Sequence, residues 1–450
     1  MTPKQPAQVE DLRATVQALF PGAPVAYGRL AGDAEGFRLV PGPRRPRLLV
    51  AADAPHAAVG AVDRPSANDT TRQAALRRVA AKVLRAPHLA AAVMPRGLAV
   101  GRSAEESVSD YLAEVVGGEV RISLAIGSRR ANRKPVLNVH RVDGTEVGYA
   151  KVGLTDLANE LIDHEAAVLA DLERDRPARF VAPRLLHHGR WRGSSVVLME
   201  SLRPAGPPAA HGVPLDAVAE LTARGGLDRQ RLADTDWLTR ITAEGAGHAG
   251  NEHAAADNGG AADGGSGQVD AEPELVELAR RYRDQLGDVD LPVGRWHGDL
   301  GPWNMAWQGR TPMIWDWERC AAGVPAGIDA VHFTCHQALR AVGDLPRARA
   351  ALTGAGAAAL RGVLARLPGG GPPSDRLVQA LVAGYLLAIA ARFTADARRP
   401  GGDAVGRLAR WHLGVLRDRL DEERDRRDGE RDRRDEKRER RDEEEVHRWS

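Results

Sequence analysis

Cysteine is almost absent from this chain of 450 residues, which contains only Cys320 and Cys335. Neither lies in a Cys-x-x-Cys motif, the spacing shared by many structural zinc sites and redox motifs. Two isolated cysteines also do not provide the dense disulfide framework of small secreted proteins. The cysteine content therefore argues against a disulfide scaffold and a zinc domain, and it predicts a protein of the reducing cytoplasm.

Long apolar runs are missing as well. No stretch reaches the roughly 18 apolar residues that a membrane-spanning helix requires. The N-terminal segment MTPKQPAQVEDLRATVQALF does not combine a basic start with an apolar run. The most apolar segment, LVAGYLLAIAA from Leu381, follows PPSDR and is predicted to be a core helix. We therefore expect no membrane span.

An excess of charge of one sign is also lacking. The 63 lysines and arginines nearly balance the 61 aspartates and glutamates, which gives a net charge of +2. Proteins that hold polyanions through their global field have a marked positive excess. Nucleic acid is therefore not an expected partner.

Two segments have few large apolar side chains. Residues 244–274 are mostly Gly, Ala, Asn, Asp and Glu, and such a composition cannot offset the entropy lost on ordering. We predict a flexible insertion there. Residues 421–450 alternate in the sign of their charge, which is typical of a solvated helix or a disordered polyampholyte. This charged tail is either an arm for a protein partner or an inert extension.

The length of 450 residues predicts more than one domain, because it exceeds what one hydrophobic core usually supports. Residues 1–118 are predicted to be folded: RPRLLVAAD indicates a strand, and SANDTTRQAALRRVAAKVLR indicates a capped amphipathic helix. Their role is not evident from the sequence. Residues 119–205 contain five strand patterns, with turns at Asp143-Gly144 and Arg192-Gly193, and residues 206–420 are mainly helical in pattern. The predicted fold class is α+β.

Lysine is scarce, because arginine supplies all but five of the basic residues. Lys151 ends the strand VGYAK, where an ammonium group is a suitable point charge for phosphate oxygens. The alternative is a solvated lysine at a strand end. A helix is predicted from about Thr155 to Leu172 and, at about 100° per residue, Glu165 falls near its apolar stripe. Because a buried carboxylate requires a partner, we expect Lys151 to pair with Glu165.

The segment RWHGDLGPWNMAWQGRTPMIWDWERC places polar side chains among tryptophans. Its HxDxxxxN spacing contains Asp299 and Asn304, and Asp316 follows in a second strand pattern. Phosphoryl transfer to a hydroxyl requires a carboxylate that accepts the proton, oxygen ligands for magnesium and a cation for the phosphates. Asp299, Asn304, Asp316 and Lys151 supply these groups. The alternative is an ordinary pair of strands with a turn at residues 308–310.

The chain resembles the aminoglycoside phosphotransferase and choline kinase group through four features that occur in this order: the strand that ends at Lys151, the helix that carries Glu165, HGDLGPWN and IWDWE. The resemblance extends from about Glu119 to Leu420. It implies a two-lobed, protein-kinase-like fold, with a small five-stranded N-lobe (119–205), a mainly helical C-lobe (206–420) and an extra N-terminal region. It also implies Mg²⁺ and ATP as cofactors, with GTP left open, and a small hydroxylated molecule as the acceptor.

The same resemblance implies roles for the residues of HGDLGPWN and IWDWE. Asp299 matches the catalytic base, and His297 matches the histidine that braces the catalytic loop. Asn304 and Asp316 match the magnesium ligands. Asp329, in the sequel of IWDWE, matches a residue that orders the catalytic loop.

Nucleotide contacts are implied at two other places. Lys151 matches the phosphate-binding lysine and Glu165 its helix partner, while LMESL matches the hinge that meets adenine and assigns Glu200 and Leu202 to nucleotide binding. One departure concerns the first turn, AIGSRRANRKPV, which has a single glycine where protein kinases carry GxGxxG. The contacts that cover the phosphates therefore stay undefined.

Two other functions remain as alternatives to a small-molecule kinase. A catalytically weak nucleotide-binding module would act by interaction, but it has no need of the base Asp299. A protein kinase is disfavoured because the GxGxxG pattern and an APE-like segment are both missing. Sugars, amino alcohols, nucleoside antibiotics and polyol lipids all remain open as acceptors, since a fold resemblance does not select among them.

Overall fold

A computed structural model gives the fold, and its described residues leave short gaps along the chain. They are residues 7–30, 35–42, 46–64, 71–126, 134–203, 212–246, 271–342, 345–398 and 403–449.

The chain divides into two compact units, each formed by two stretches of sequence. The first comprises Met1–Gly212 and Asp299–Cys320, and the second comprises Val213–Gly298 and Ala321–Ser450. Both units contain helices and strands, in agreement with the predicted α+β class. The segment from Asp299 to Cys320 thus belongs to the same unit as Lys151 and Glu165.

Strands of the first unit join into one antiparallel sheet. They are β1 (Val25–Arg29), β2 (Gly36–Val40), β3 (Leu48–Ala51), β4 (Arg96–Val100), β5 (Val120–Ala125), β6 (Val136–Arg141), β7 (Glu146–Val152), β8 (Leu185–Trp191) and β9 (Ser194–Met199). Their order across the sheet is β1-β4-β2-β3-β5-β6-β7-β9-β8. The two predicted turns join β6 to β7 and β8 to β9. Gly144 and Gly193 take positive φ angles of 88° and 83° there, a conformation that glycine adopts without a steric penalty.

The five strands predicted over residues 119–205 are β5 to β9, but they do not form a sheet of their own. β3 pairs with β5 through Leu48↔Ala125 and Leu49↔Leu124, so strands from the N-terminal region extend the same sheet. This pairing covers the edge of β5, where exposed backbone groups would otherwise attract another chain. The N-terminal region and the five predicted strands therefore share one framework.

Helices and a short hairpin complete the first unit. The helices are α1 (Ala7–Leu19), α2 (Pro55–Val62), α3 (Thr71–Leu84), α4 (Pro87–Val93), α5 (Val108–Val116) and α6 (Asp156–Arg174), and the hairpin strands are β12 (Met305–Gln308) and β13 (Thr311–Ile314). Leu12 of α1, Leu112 of α5 and Val139 of β6 belong to one apolar core. This core spans the boundary at residue 118, so the N-terminal region packs with the strands that follow it.

α6 carries Glu165 and begins at a capping residue. The Thr155 hydroxyl accepts a hydrogen bond of 3.2 Å from the Ala158 amide, which satisfies one of the donors that a helix leaves unpaired at its start. Leu161 and Leu169 are buried on one face of the helix, and Glu165 between them is fully buried. The helical periodicity of the sequence predicted that Glu165 lies near the apolar face of this helix.

The second unit is mainly helical. Its elements are α7 (Leu215–Ala223), β10 (Asp228–Arg231), α8 (Asp236–Ala246), α9 (Ala271–Leu286), β11 (Asp290–Trp296), β14 (Ala321–Pro325), α10 (Ile328–Val342), α11 (Leu345–Ala351), α12 (Ala357–Leu364), α13 (Asp375–Ala397) and α14 (Asp403–Trp449). The three strands form an antiparallel sheet in the order β10-β11-β14. α13 packs against α8, α9, α10 and α14. Of the helices in the described ranges, α13 alone is long and apolar enough to cross a membrane, and 78% of its most apolar window is buried, as expected of a core helix.

The two predicted low-complexity segments are described to different extents in the structure. Most of the predicted insertion, residues 247–270, lies outside the described residues, and its flanks belong to α8 and α9. The charged tail continues α14 as a helix. Glu423 is still buried, whereas the side chains from Arg424 to Asp428 and from Glu430 to Arg438 are exposed. Of the two structural alternatives for the tail, a solvated helix and a disordered polyampholyte, the structure shows the helix.

Three histidines stack inside the second unit, where His332 and His412 are buried and His336 is half-buried. The rings of His332 and His336 lie 4.2 Å apart, and those of His336 and His412 lie 6.0 Å apart. The His412 Nδ1–H donates to the Leu408 carbonyl at 2.7 Å. Burial lowers the pKa of His412 to about 3, with the hydrogen bond to Leu408 opposing this effect and the positive charges of His332 and Arg392 adding to it.

We expect His412 to make the protein less stable in mild acid. Its pKa in the unfolded chain is about 6.5, so only the unfolded state takes up a proton as the pH falls from 6.5 towards 3. Stability is complete above pH 6.5 and is lost below it by up to about 1.4 kcal/mol per pH unit. Urea unfolding of His412→Gln between pH 7 and 4 should show a flatter pH dependence than the wild type. The exposed His88 gives the matched control, His88→Gln, and equal slopes for both variants would contradict the expectation.

Candidate active site

Lys151 and Glu165 form a buried ion pair in the first unit. The Lys151 Nζ donates to Glu165 Oε1 at 2.7 Å and to Oε2 at 2.6 Å. Lys151 lies on β7, which pairs with β6 and β9 on its two sides, so the backbone of Lys151 is fixed by the sheet. Glu165 Oε1 also accepts a hydrogen bond of 3.1 Å from the Trp317 amide. The glutamate therefore connects the lysine to the segment that follows β13.

Asp316 joins this pair from the end of the hairpin. Its Oδ1 lies 2.6 Å from the Lys151 Nζ. Burial lowers the pKa of Lys151, but the Asp316 and Glu165 carboxylates outweigh it and hold that pKa above its ordinary value. Burial raises the pKa of Asp316, but Lys151 and Lys134 outweigh it and hold that pKa below its ordinary value. Both groups are therefore charged at neutral pH.

The backbone of Asp316 is strained. Its φ and ψ angles of 69° and 58° lie in the left-handed region, which a non-glycine residue adopts at a free-energy penalty of about 1–2 kcal/mol. Aspartate and asparagine tolerate this region better than other side chains with a Cβ. The conformation directs the chain into the 3₁₀ turn Trp317–Arg319. A strained residue with a charged side chain in an ion-pair cluster is characteristic of a functional site.

Asn304 and Asp299 lie at the same open end of the hairpin, before β12. The Asn304 Nδ2 donates to Asp299 Oδ2 and to the Asp299 carbonyl, each at 2.9 Å. The Trp315 amide donates to the Asn304 carbonyl at 3.0 Å, so Asn304 lies beside the strand residue that precedes Asp316. Because the amide nitrogen of Asn304 is turned to Asp299, the amide oxygen is the atom that Asn304 would offer to a cation.

His297 belongs to the second unit, where Asp329 orders its backbone. The His297 amide donates to Asp329 Oδ2 at 2.6 Å and the Gly298 amide to Asp329 Oδ1 at 3.1 Å. The Arg392 Nη1 donates to the Gly298 carbonyl at 2.6 Å. Burial raises the pKa of Asp329, against the effect of His297 and of these backbone bonds. The two residues that precede Asp299 in the chain are thus tightly held.

Lys134 also belongs to this cluster of charged side chains, although the motifs assigned no role to it. It forms an ion pair with Glu318, and its Nζ lies 3.9 Å from Asp316 Oδ1. Burial and the nearby Lys151 ammonium lower the pKa of Lys134 to about 8, against the pull of Asp316. The scarcity of lysine that singled out Lys151 applied equally to Lys134, and that signal could have identified it.

Glu200 and Leu202, the predicted hinge residues, are not among the hydrogen-bond partners of this cluster. The Glu200 side chain is exposed, and its amide donates to the Arg184 carbonyl at 2.9 Å. The Leu202 carbonyl accepts from the Arg64 Nη2 at 2.5 Å. Arg64 also pairs with Glu146 at 2.6 Å, so a residue of the N-terminal region secures the chain after β9.

The donor set of the cluster fits a magnesium ion. One oxygen from each of Glu165, Asp316 and Glu318 lies within 4.8 Å of the others, and Asn304 adds an amide oxygen nearby along the hairpin. Mg²⁺ prefers such hard oxygen ligands and usually takes only one or two carboxylates from the protein. Asp316 and Asn304 are the residues that would hold it, since Glu165 is already bound by Lys151 and Trp317.

Comparison with known proteins finds similarity at the level of structure. No protein-family model and no curated protein sequence matches the chain. An aminoglycoside phosphotransferase in ternary complex with ADP and hygromycin B is 14% identical, with a TM-score of 0.40 over 70% of this chain and 98% of its own. A choline/ethanolamine kinase family protein from Mesorhizobium loti is 15% identical, with a TM-score of 0.35 over 65% and 92%.

A glucosamine kinase in complex with glucosamine, ADP and inorganic phosphate is 18% identical, with a TM-score of 0.37 over 68% of this chain and 94% of its own. Each of these three structures is of a phosphotransferase or kinase, and the first two carry the names of the group that the motifs resemble. At these identities and scores the likeness carries no argument about function. The case for function depends on the side chains.

Proposed function

We propose that the chain is an ATP-dependent phosphotransferase that moves the γ-phosphate to a hydroxyl of a small molecule. Transfer of a phosphoryl group needs little covalent chemistry from a protein, which has to position the reactants and stabilise charge. The cluster contains the required groups: a fixed ammonium for phosphate oxygens, oxygen ligands for a divalent cation, and a carboxylate that accepts a hydrogen bond from the Asn304 amide. These are Lys151, Asp316 with Asn304, and Asp299.

Each side chain has a separate role in this proposal. Asp299 accepts the proton of the acceptor hydroxyl, and the Asn304 amide keeps its carboxylate in place. Lys151 holds the nucleotide phosphates, and Glu165 fixes Lys151. Asp316 and Asn304 hold Mg²⁺, which when bound neutralises phosphate charge. His297 braces the loop before Asp299, and Glu200 and Leu202 contribute backbone contacts to the nucleotide base.

The observation that carries the proposal is that a second carboxylate, that of Asp316, contacts the Lys151 ammonium group. One glutamate is enough to neutralise a buried lysine, so a purely structural ion pair does not need Asp316. Asp316 nevertheless contacts the same ammonium at 2.6 Å and does so from a strained backbone. Strain of this kind persists where a function requires it, and magnesium binding is the function that a carboxylate at this position would serve.

The experiment is a binding measurement followed by an acceptor screen. Calorimetry with ATP and GTP, each with and without Mg²⁺, tests the nucleotide site. A screen of sugars, amino alcohols, nucleoside antibiotics and polyol lipids with labelled nucleotide then tests transfer. Magnesium-dependent binding with phosphorylation of one acceptor class is the expected result. Binding without transfer to any acceptor would favour an interaction module instead. A cytoplasmic location is part of the proposal and agrees with two buried free cysteines.

A further inference from the structure

Lys134 stands where the sequence departs from the glycine-rich pattern of protein kinases. It follows the basic segment of residues 127–133, which lies outside the described residues, and it precedes β6. Its side chain is only 9% exposed. A glycine-rich loop covers phosphates with backbone amides, and a segment with a single glycine is poorly suited to that. Lys134 lies next to this segment and carries a positive charge that phosphate oxygens would attract.

The surroundings of Lys134 are unusual for a structural lysine. It is paired with Glu318, whose side chain is 8% exposed, and a buried ion pair is often no more stabilising than apolar residues of the same size. Lys151 lies close by as well, since both ammonium groups approach Asp316 Oδ1. The Glu165, Asp316 and Glu318 carboxylates neutralise the two ammonium groups in the free protein. A polyanion that binds beside the ammonium groups can take over this role.

Both lysines approach the same atom. Lys151 Nζ lies 2.6 Å and Lys134 Nζ 3.9 Å from Asp316 Oδ1, and Asp316 is the residue assigned to the metal. Once Asp316 is occupied by a divalent cation, neither lysine retains Asp316 as a partner. Lys151 still donates to both carboxylate oxygens of Glu165, whereas Lys134 keeps its pairing with one oxygen of Glu318 among the described residues. Lys134 is therefore the ammonium group that is more easily released towards a phosphate.

We propose that Lys134 is a second phosphate-binding cation, which leaves Glu318 when the magnesium nucleotide binds and takes the place of a glycine-rich loop. This inference rests on the proposed function, because it needs a nucleotide in the site. Glu318 holds Lys134 in the free protein and keeps the two ammonium groups neutralised. The ligand chemistry is that of a nucleoside di- or triphosphate, since adenosine alone offers no group for Lys134.

Calorimetry on Lys134→Gln tests the proposal with a series of ligands that differ only in phosphate number. We expect affinity for adenosine to be unchanged and affinity for ATP with Mg²⁺ to fall by about tenfold or more, the usual effect of losing a hydrogen bond to a charged group. AMP and ADP should fall between them. Lys82 is an exposed lysine on α3, and Lys82→Gln should bind every ligand as the wild type does.

The double variant Lys134→Gln, Glu318→Gln separates phosphate binding from folding. It removes both charges, so it should regain any thermal stability that the single variant loses, yet it should still bind ATP about tenfold more weakly. Recovery of ATP affinity in the double variant would overturn the proposal, since Lys134 would then only neutralise Glu318. So would an equal loss for adenosine and ATP in Lys134→Gln. If the wild type binds no nucleotide at all, the proposed function itself fails.

Discussion

Asp299→Asn is expected to lower turnover by about a hundredfold or more, the scale of general-base catalysis, while nucleotide affinity stays near that of the wild type. The exchange removes the base and little else. Asn304 Nδ2 donates to Asp299 Oδ2 at 2.9 Å, and the amide oxygen of an asparagine can accept that same hydrogen bond. The catalytic loop should therefore keep its geometry.

Steady-state kinetics on the acceptor found in the screen, together with calorimetry for ATP with Mg²⁺, would measure the effect of Asp299→Asn. Asp284 provides a matched control, because it is an exposed aspartate that pairs with Arg280 on α9; Asp284→Asn should leave both quantities unchanged. Unchanged turnover in Asp299→Asn would exclude this aspartate as the base. A parallel loss of nucleotide affinity would instead indicate that the residue acts in binding.

The Lys151–Glu165 pair was predictable from the sequence because both of its determinants are local. The strand pattern of VGYAK and the periodicity of one helix suffice to place a lysine at a strand end and a glutamate on an apolar face. The same holds for the HxDxxxxN spacing, since the hydrogen bonds between Asn304 and Asp299 connect residues only five positions apart. Short-range features of this kind need no knowledge of the tertiary fold.

Contacts between distant parts of the chain were beyond the reach of the sequence. The pairing of β3 with β5 joins residues more than 70 positions apart, and a strand pattern does not state which edge it will pair with. For the same reason the bond of Arg64 to the Leu202 carbonyl could not be predicted. The sequence could identify the N-terminal region as folded, but it could not place that region in the same sheet.

Lys134 and Asp316 illustrate a different limit. The motif identified Asp316 and the scarcity of lysine pointed to Lys134, but the sequence does not predict the density of charge around them or the backbone conformation of Asp316. A left-handed φ of 69° at Asp316 arises because the hairpin, the 3₁₀ turn and two lysines all constrain one residue. Such a conformation is imposed by its surroundings and not by local propensity. The site is therefore more densely charged than the kinase motifs alone indicate.

Lys151 and Glu165 are expected to act as one unit, so the effects of changing them should not add. Lys151→Met leaves Glu165 buried without its cation, which should reduce the free energy of unfolding by about 3–5 kcal/mol. Glu165→Gln should disturb the position of the same ammonium group and of the Trp317 amide, which donates to Glu165 Oε1. Adding Glu165→Gln to Lys151→Met removes the unpaired charge. The double variant should therefore be more stable than Lys151→Met alone.

Catalytic efficiency should show the same coupling. Either single change disrupts one phosphate-binding geometry, so the double variant should be barely worse than the worse single variant. The exposed pair Arg280–Glu277, with side chains 61% and 52% exposed, serves as the control cycle, since exposed pairs contribute about 0.2–1 kcal/mol. Additivity within about 0.5 kcal/mol for Lys151 and Glu165, in both urea unfolding and kcat/KM, would mean that the two charges act independently. Coupling in stability without coupling in kcat/KM would leave an ion pair that holds the fold together, and the phosphate would then have to be bound by Lys134 alone.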